Sequence, residues 1–265
     1  MSSRTLQFTA HFILWLGVLI MVVPIWIAFA SSTHENVDII TEGMKWGIGD
    51  KFFDNYNEVL NRKGGFSQEI TATSMFINSF IMAFGIASLS VFVSMMAAYS
   101  LVYFKTRFST LFFWLIFITL LVPLELRILP SYQIVSDLNL LNSYAGLILP
   151  LSASAIATFF FRQYYRSIPE ELLEAAKLDG ANSWKFFIDF LVPLSKTMVA
   201  AMFIFMFVYG YNQYLWPLIM TTSEKYWTVV MGLKMIYGGN SVDRYTYVIL
   251  SLLSLIHISE PTRPY

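Results

Sequence analysis

Two apolar runs, residues 11–30 and 75–103, set the terms for the rest of the chain. Each is long enough to cross the hydrocarbon of a bilayer, which takes about 20 residues as a helix. Of the 265 residues, 57% are hydrophobic and 13% charged, with mean hydropathy +0.60. A soluble domain is nearer half apolar and a quarter charged, so the chain reads as an integral membrane protein. The first run ends in Ala28-Phe29-Ala30, the pattern of a signal-peptidase site. Its core exceeds the roughly 7–15 residues of a signal-peptide core, which favours a retained first helix. The expected fold class is all-α, a polytopic membrane helix bundle. Six spanning segments are expected, near residues 11–30, 75–103, 111–129, 144–162, 198–220 and 245–258, the sixth truncated.

A charged island, residues 169–193, separates two of these runs. Ser167 followed by Glu170 has the spacing of a capping box, and Pro169 suits a first turn. Glu170 and Glu171 then sit near the positive end of the helix dipole. Leu172, Ala175, Ala176 and Asp179 share one face at helical spacing. Gly180 is placed to end the helix in a left-handed cap. Asn182 or Ser183 can cap a second short helix with Trp184, Phe187, Phe190 and Leu191 on one face, and Pro193 is expected to break it. Such a hairpin can dock into a partner: small Ala175 and Ala176 let another backbone approach, and Glu174 offers a fixed charge. The same pattern also fits a solvated interfacial hairpin with no partner.

Glu174-Ala175-Ala176, three residues, Asp179-Gly180 and then Pro193 resemble the EAA loop of ABC-importer permeases. Phe190 and Val192 depart from it, standing where that family usually has Ile and Leu. The flanking stretches FFWLIFITLLVPLELRILPSY, NSYAGLILPLSASAIATFFFRQ and YGYNQYLWPL are similar to the glycerol-3-phosphate branch of the carbohydrate-uptake permeases. The likeness runs from about residue 8 to 252 and is weakest in the first loop. The resemblance implies a second homologous permease subunit, an ABC ATPase dimer and a solute-binding protein as partners, in a bacterial inner membrane. It implies a cytoplasmic EAA coupling hairpin and N-terminus, with Glu171, Glu174, Ala175, Ala176, Asp179, Gly180 and Pro193 as ATPase-coupling residues. It implies import of sn-glycerol-3-phosphate or a glycerophosphodiester by alternating access, with ATP spent by the partner subunits. A sugar permease of the maltose type, a scaffold subunit without transport and a secondary transporter are the rival readings. The last would be expected to carry buried acids or histidines for ion coupling, which the spanning runs largely lack.

In the first loop, residues 31–73, Trp46, Phe52, Phe53 and Tyr56 imply packing rather than a floating strand of chain. The loop reads either as a cap that meets a solute-binding protein or as a folded loop with no partner. The second run carries Ser79, Ser88, Ser90 and Ser94 with Ala83, Gly85, Ala87 and Ala98, small residues that permit close helix packing in lipid. Pro123 and Pro130 bracket Glu125 and Arg127, at or within the membrane edge. Ionisable residues at that depth are functional candidates by default, and an interfacial Glu–Arg pair that anchors a helix end is the other reading. Asn212 and Gln213, beside Tyr214 and Trp216, can line a polar solute path or bond between helices.

The chemistry is otherwise sparse. His11, His34 and His257 are far apart, and zero cysteines exclude disulfides, thiol catalysis and Cys-based metal sites. No GxxxxGK[ST] loop occurs, so no cofactor is expected on this chain and no enzyme activity follows from it. A formal net charge of zero gives no hint of a nucleic-acid partner. Leaving out the tail, Lys and Arg divide eight against eight across the membrane, while acids divide five against eleven. Acids steer orientation poorly, but the Lys105/Arg107 turn favours an inside N-terminus. Residues 245–258 make a short last run, and LSLIHISEPTR looks like a translated sequencing adaptor. Residues 1–252 are therefore read as the permease domain and 253–265 as a non-native tail, the native chain being expected to continue with a longer helix and a basic end.

Overall fold

The computed structural model describes residues 3–61, 70–104 and 107–238. Among these every regular element is helical. The chain divides into two compact units, residues 1–77 with 228–265, and residues 78–227. The expected sixth span, the tail 253–265 and Lys105 lie outside the described residues.

In the first unit, α1 (Ser3–Ser32) is one helix despite Pro24 within it. Its end ties down the following loop, which carries α2 (Asn36–Glu42) and α3 (Phe52–Asn61). The buried Thr33 hydroxyl accepts from the Gly49 N–H at 2.6 Å, and Ser31 Oγ accepts from the Lys45 N–H at 2.9 Å. Asn55 Nδ2 donates to the carbonyls of Ser32 at 3.0 Å and His34 at 2.8 Å. Phe52 lies between the rings of Phe29 and Tyr56. The loop thus packs as its aromatic residues imply, though Trp46 and Phe53 stay exposed. Lys45 bonds to Glu42, and this hydrogen bond, reinforced by the lysine charge, holds the Glu42 carboxyl below its usual range.

α4 (Ala72–Tyr103) is the second helix long and apolar enough to span, and from Asn78 onward it is part of the second unit. Gly85 shows what its small residues are for: a β-carbon there would stand 2.5 Å from Ile148 Cδ1. The three spans expected next are broken. α5 (Ser109–Ile118) tightens into a 3₁₀ turn at Thr119–Leu121, and the chain then bends by 108° into α6 (Leu124–Asp137). Val122 is extended, the backbone that a following proline favours. α7 (Tyr144–Ile148) passes through a 3₁₀ turn, Leu149–Leu151, and a 46° bend into α8 (Ala155–Ser167). In a continuous helix the Pro150 ring would meet the Gly146 carbonyl, and Ser154 instead caps the new helix.

The island forms α9 (Glu170–Leu178) and α10 (Ser183–Phe186), continued by a π-turn at Phe187–Leu191 and α11 (Val192–Leu194). A 76° bend at Ser195 leads into α12 (Lys196–Tyr211). The expected fifth span, 198–220, stops at Tyr211, and α13 (Leu215–Met220) is separate. Pro217 explains this, since its ring would strike the Gln213 carbonyl in an unbroken helix. α14 (Val229–Gly238) returns to the first unit, where Leu233 packs with Val59 and Ala72. By length and composition the described residues hold two spanning helices, or up to five if each bent pair is one span.

Two apolar cores fill the second unit. One joins Met95 and Tyr99 of α4, Phe161 and Tyr165 of α8, and Phe186, Phe187 and Leu191 of the island. The other joins Met82 and Ile86 of α4 to Ile128, Leu147, Met206 and Trp216.

Candidate functional site

The island folds as a hairpin, by a route that differs from the expected one at its start. Ser167 is the last residue of α8 and donates to the Tyr164 carbonyl at 2.7 Å, so no capping box forms with Glu170. Ile168 takes the extended backbone that a following proline favours, and Pro169 becomes the N-cap without a side-chain bond. The turn after α9 is as expected. Gly180 has φ +76°, and its N–H reaches the Lys177 carbonyl at 3.0 Å while the Ala181 N–H reaches Ala176 at 2.9 Å. That is the paired-bond Schellman ending, which satisfies the last carbonyls of α9. Asn182 Oδ1 accepts from the Lys185 N–H at 2.8 Å and caps the second arm.

The packed face is offset from the expected one. Leu173 and Ala176, one turn apart, lie against the core of Phe186 and Phe187, and Ala176 is buried. Leu172, Ala175 and Asp179 face outward with Glu171 and Glu174. Ala176 is therefore covered by its own chain, and of the two alanines only Ala175 offers a backbone approach. On the second arm Phe186, Phe187 and Leu191 are buried and Trp184 is 57% exposed, so Trp184 leaves the expected face and Phe186 joins it. The π-turn causes the shift: Val192 N–H bonds to Phe187, five residues back. Pro193 does not break the helix. It follows the π-turn, and the wider register keeps its ring from the Asp189 carbonyl. The outward surface also carries Leu178, 90% exposed, beside its carboxylates.

A second candidate is a small cavity of about 60 Å³ lined by Arg127, Ser131, Pro150, Leu151, Ala153, Tyr209 and Trp216. Arg127 and Ser131 stand one turn apart on α6, which the bend at Pro123 turns away from α5. Tyr209 supplies a phenol from α12. Trp216 is a wall: it is buried, and its Nε1 donates to the Leu147 carbonyl at 3.2 Å. Glu125 is exposed in the first turn of α6 and makes no ion pair with Arg127. Asn212, Gln213 and Tyr214 fall in the break between α12 and α13, and none of them lines the cavity. Gln213 Nε2 caps α12 by donating to the Tyr209 carbonyl at 3.2 Å, while Asn212 Oδ1 is buried without a hydrogen-bond partner. Ser131 and Tyr209 were not among the expected path residues. The one-turn spacing of Arg127 and Ser131 was a signal for the first.

Asn78 also went unremarked in the sequence. It is buried and fully paired: Nδ2 donates to the carbonyls of Lys225 at 2.8 Å and Trp227 at 2.9 Å, and Oδ1 accepts from the Tyr144 hydroxyl.

Residues 90–259 match the family described as binding-protein-dependent transport system inner membrane component. The chain is 40% identical over 253 residues to the sn-glycerol-3-phosphate transport system permease protein UgpE of Yersinia enterocolitica, covering 95% of this chain and 90% of the relative. It is 41% identical over 249 residues to the protein of the same name from Rhizobium meliloti, covering 93% and 88%. The Agrobacterium fabrum protein of that name is 42% identical over 250 residues, with coverage of 93% and 88%. Among solved structures, the fold is similar to a chain of a bacterial ABC transporter involved in the import of the acidic polysaccharide alginate. The TM-score is 0.78 at 21% identity, over 98% of this chain and 96% of the other.

Proposed function

The chain belongs to the binding-protein-dependent transport system inner membrane components, and from that premise we propose that it is the permease subunit of an ATP-driven importer of sn-glycerol-3-phosphate or its diesters. It is a transport permease, not an enzyme. The observation that carries the solute is the identity of about two residues in five, along nearly the whole chain, to permease proteins named for that ester. The partners are a second permease, a pair of ATPase subunits that spend the ATP, and a solute-binding protein on the far side. The N-terminus and the hairpin are cytoplasmic. Glu171, Glu174, Ala175 and Asp179 form the outward surface that meets the ATPase, with Gly180 and Pro193 fixing its shape. ATPase closure then displaces the hairpin and switches the spanning helices between inward- and outward-facing arrangements.

On the solute path, the Arg127 guanidinium is the anion contact. It stays charged and matches the geometry of a phosphate, and the hydroxyls of Ser131 and Tyr209 beside it suit the same oxygens. Glu125, Asn212, Gln213 and Tyr214 border the path rather than the cavity. The test is uptake of labelled sn-glycerol-3-phosphate by proteoliposomes holding the assembled transporter with its binding protein. Uptake should need ATP and the binding protein, and glycerophosphodiesters should compete. Uptake of a neutral sugar instead would make this a sugar permease, and no ATP-driven uptake from a correctly assembled complex would leave a scaffold.

A further inference from the structure

The two arms of the hairpin are held differently. The first arm, α9, meets the bundle by apolar side chains, Leu173 and Ala176. The second arm is bonded at both ends to spanning helices through its backbone. The Tyr99 hydroxyl of α4 donates to the Ser183 carbonyl at 2.7 Å, at the first residue of α10. The Tyr164 hydroxyl of α8 donates to the Leu194 carbonyl at 2.6 Å, at the last residue of α11. Leu194 ends a helix just before the 76° bend, where carbonyls lose their next-turn donors, so an outside hydroxyl has a place there. Rings back the bonds: Tyr99 packs on Phe187 at 5.1 Å between centroids, and Tyr103 meets Phe186 edge-on at 5.3 Å.

We propose that Tyr99 and Tyr164 are positioning residues, a two-point clamp that passes the displacement of the hairpin to α4 and α8. The proposal rests on the importer reading above. A push on α9 reaches the bundle through the Ile168–Pro169 link to the end of α8, through soft apolar contact, or around the Gly180 turn into the second arm, and only the last route engages α4 and α8 by hydrogen bonds. Hydrogen bonds to the two ends of that arm resist both sliding and rotation, which apolar packing alone does not. Because both acceptors are backbone carbonyls, the clamp depends on the tyrosine hydroxyls and not on the side chains at 183 and 194.

The test uses the assembled transporter carrying Tyr99→Phe, Tyr164→Phe or both, with Tyr103→Phe as a control whose hydroxyl bonds to Tyr165 and not to the hairpin. ATPase co-purification should be unchanged in all of them. The ATP hydrolysed per solute imported should rise, by about fivefold in each single variant and up to about thirtyfold in the double, as expected when one and then two bonds of ordinary net strength are lost from the coupled step. A merely structural role lowers hydrolysis and uptake in the same proportion and leaves this ratio fixed, and a fixed ratio overturns the clamp. Hydrogen exchange gives a readout independent of transport. In the double variant, amides of residues 184–195 should exchange faster by about fivefold while those of 170–178 do not change. Unchanged exchange, or equal acceleration in both arms, overturns the proposal. If the unmodified complex shows no ATP-driven uptake, the importer reading fails instead, and the exchange result decides the clamp.

Discussion

The Tyr144 hydroxyl donates to Asn78 Oδ1 at 2.6 Å, closing a set of bonds that leaves no polar atom of the buried asparagine side chain unpaired. Removing the amide would orphan the Lys225 and Trp227 carbonyls together with the Tyr144 hydroxyl. Asn78→Leu is expected to destabilise the protein in detergent by about 1–3 kcal/mol, with Tyr144→Phe costing less because the amide keeps both carbonyls. Thermal unfolding of the purified variants checks the order. Equal stability of Asn78→Leu and the unmodified chain would mean that this network is slack.

Gly180 has φ +76°, and no atom lies within 4 Å of where a β-carbon would stand. Substitution there meets strain but no clash. Gly180→Asn should be nearly silent, whereas Gly180→Val should lose the turn at a cost of about 1–3 kcal/mol. The expected readout is selective: Gly180→Val inserts and pairs with its partner permease but retains less ATPase. Asn and Val behaving alike would contradict it.

Ala175 and Ala176 are neighbours with opposite surroundings. Ala176→Leu forces extra volume into the core against Phe186 and should cost about 1–3 kcal/mol in a melt. Ala175→Leu projects outward and should melt normally while reducing co-purification of the ATPase. Glu174→Ala should behave as Ala175→Leu does, since its side chain is exposed and an exposed change rarely shifts stability beyond about 0.5 kcal/mol.

Arg127→Gln keeps a polar but shorter side chain and loses the charge. Uptake of the phosphate ester should fall by at least about tenfold, the value of one charge-assisted contact. A neutral analogue carried at all should be carried as before. Equal loss for both solutes would return Arg127 to the role of a helix anchor.

The helices and their island were legible in the sequence because hydropathy and charge act locally. The Gly180 turn and the Asn182 cap were legible for the same reason: each is decided by bonds within a few residues. The breaks in the third, fourth and fifth spans were half-legible. Pro123, Pro150 and Pro217 stand at them, but apolar composition runs straight across, and composition carries no direction. The choice between Ala175 and Ala176 was not legible, since it depends on where Phe186 lies, and that depends on a register change at 187–191. Tyr209 joined the cavity for a similar reason. Its partner Arg127 is 82 residues away in sequence, across two bends.

The wide turn at Phe187–Leu191 holds one more residue than an α-turn would. The extra residue is taken up inside that one turn, so the segments on either side stay in phase. Deleting Ile188 would close the turn and leave the Ser183 carbonyl and the carboxylates of α9 aimed as before. It would also bring the Pro193 ring onto the Asp189 carbonyl in ordinary α register. The spare residue thus works as a relief joint: it lets a proline sit inside the second arm, next to the bend at Ser195, without turning the hairpin away from its tyrosines.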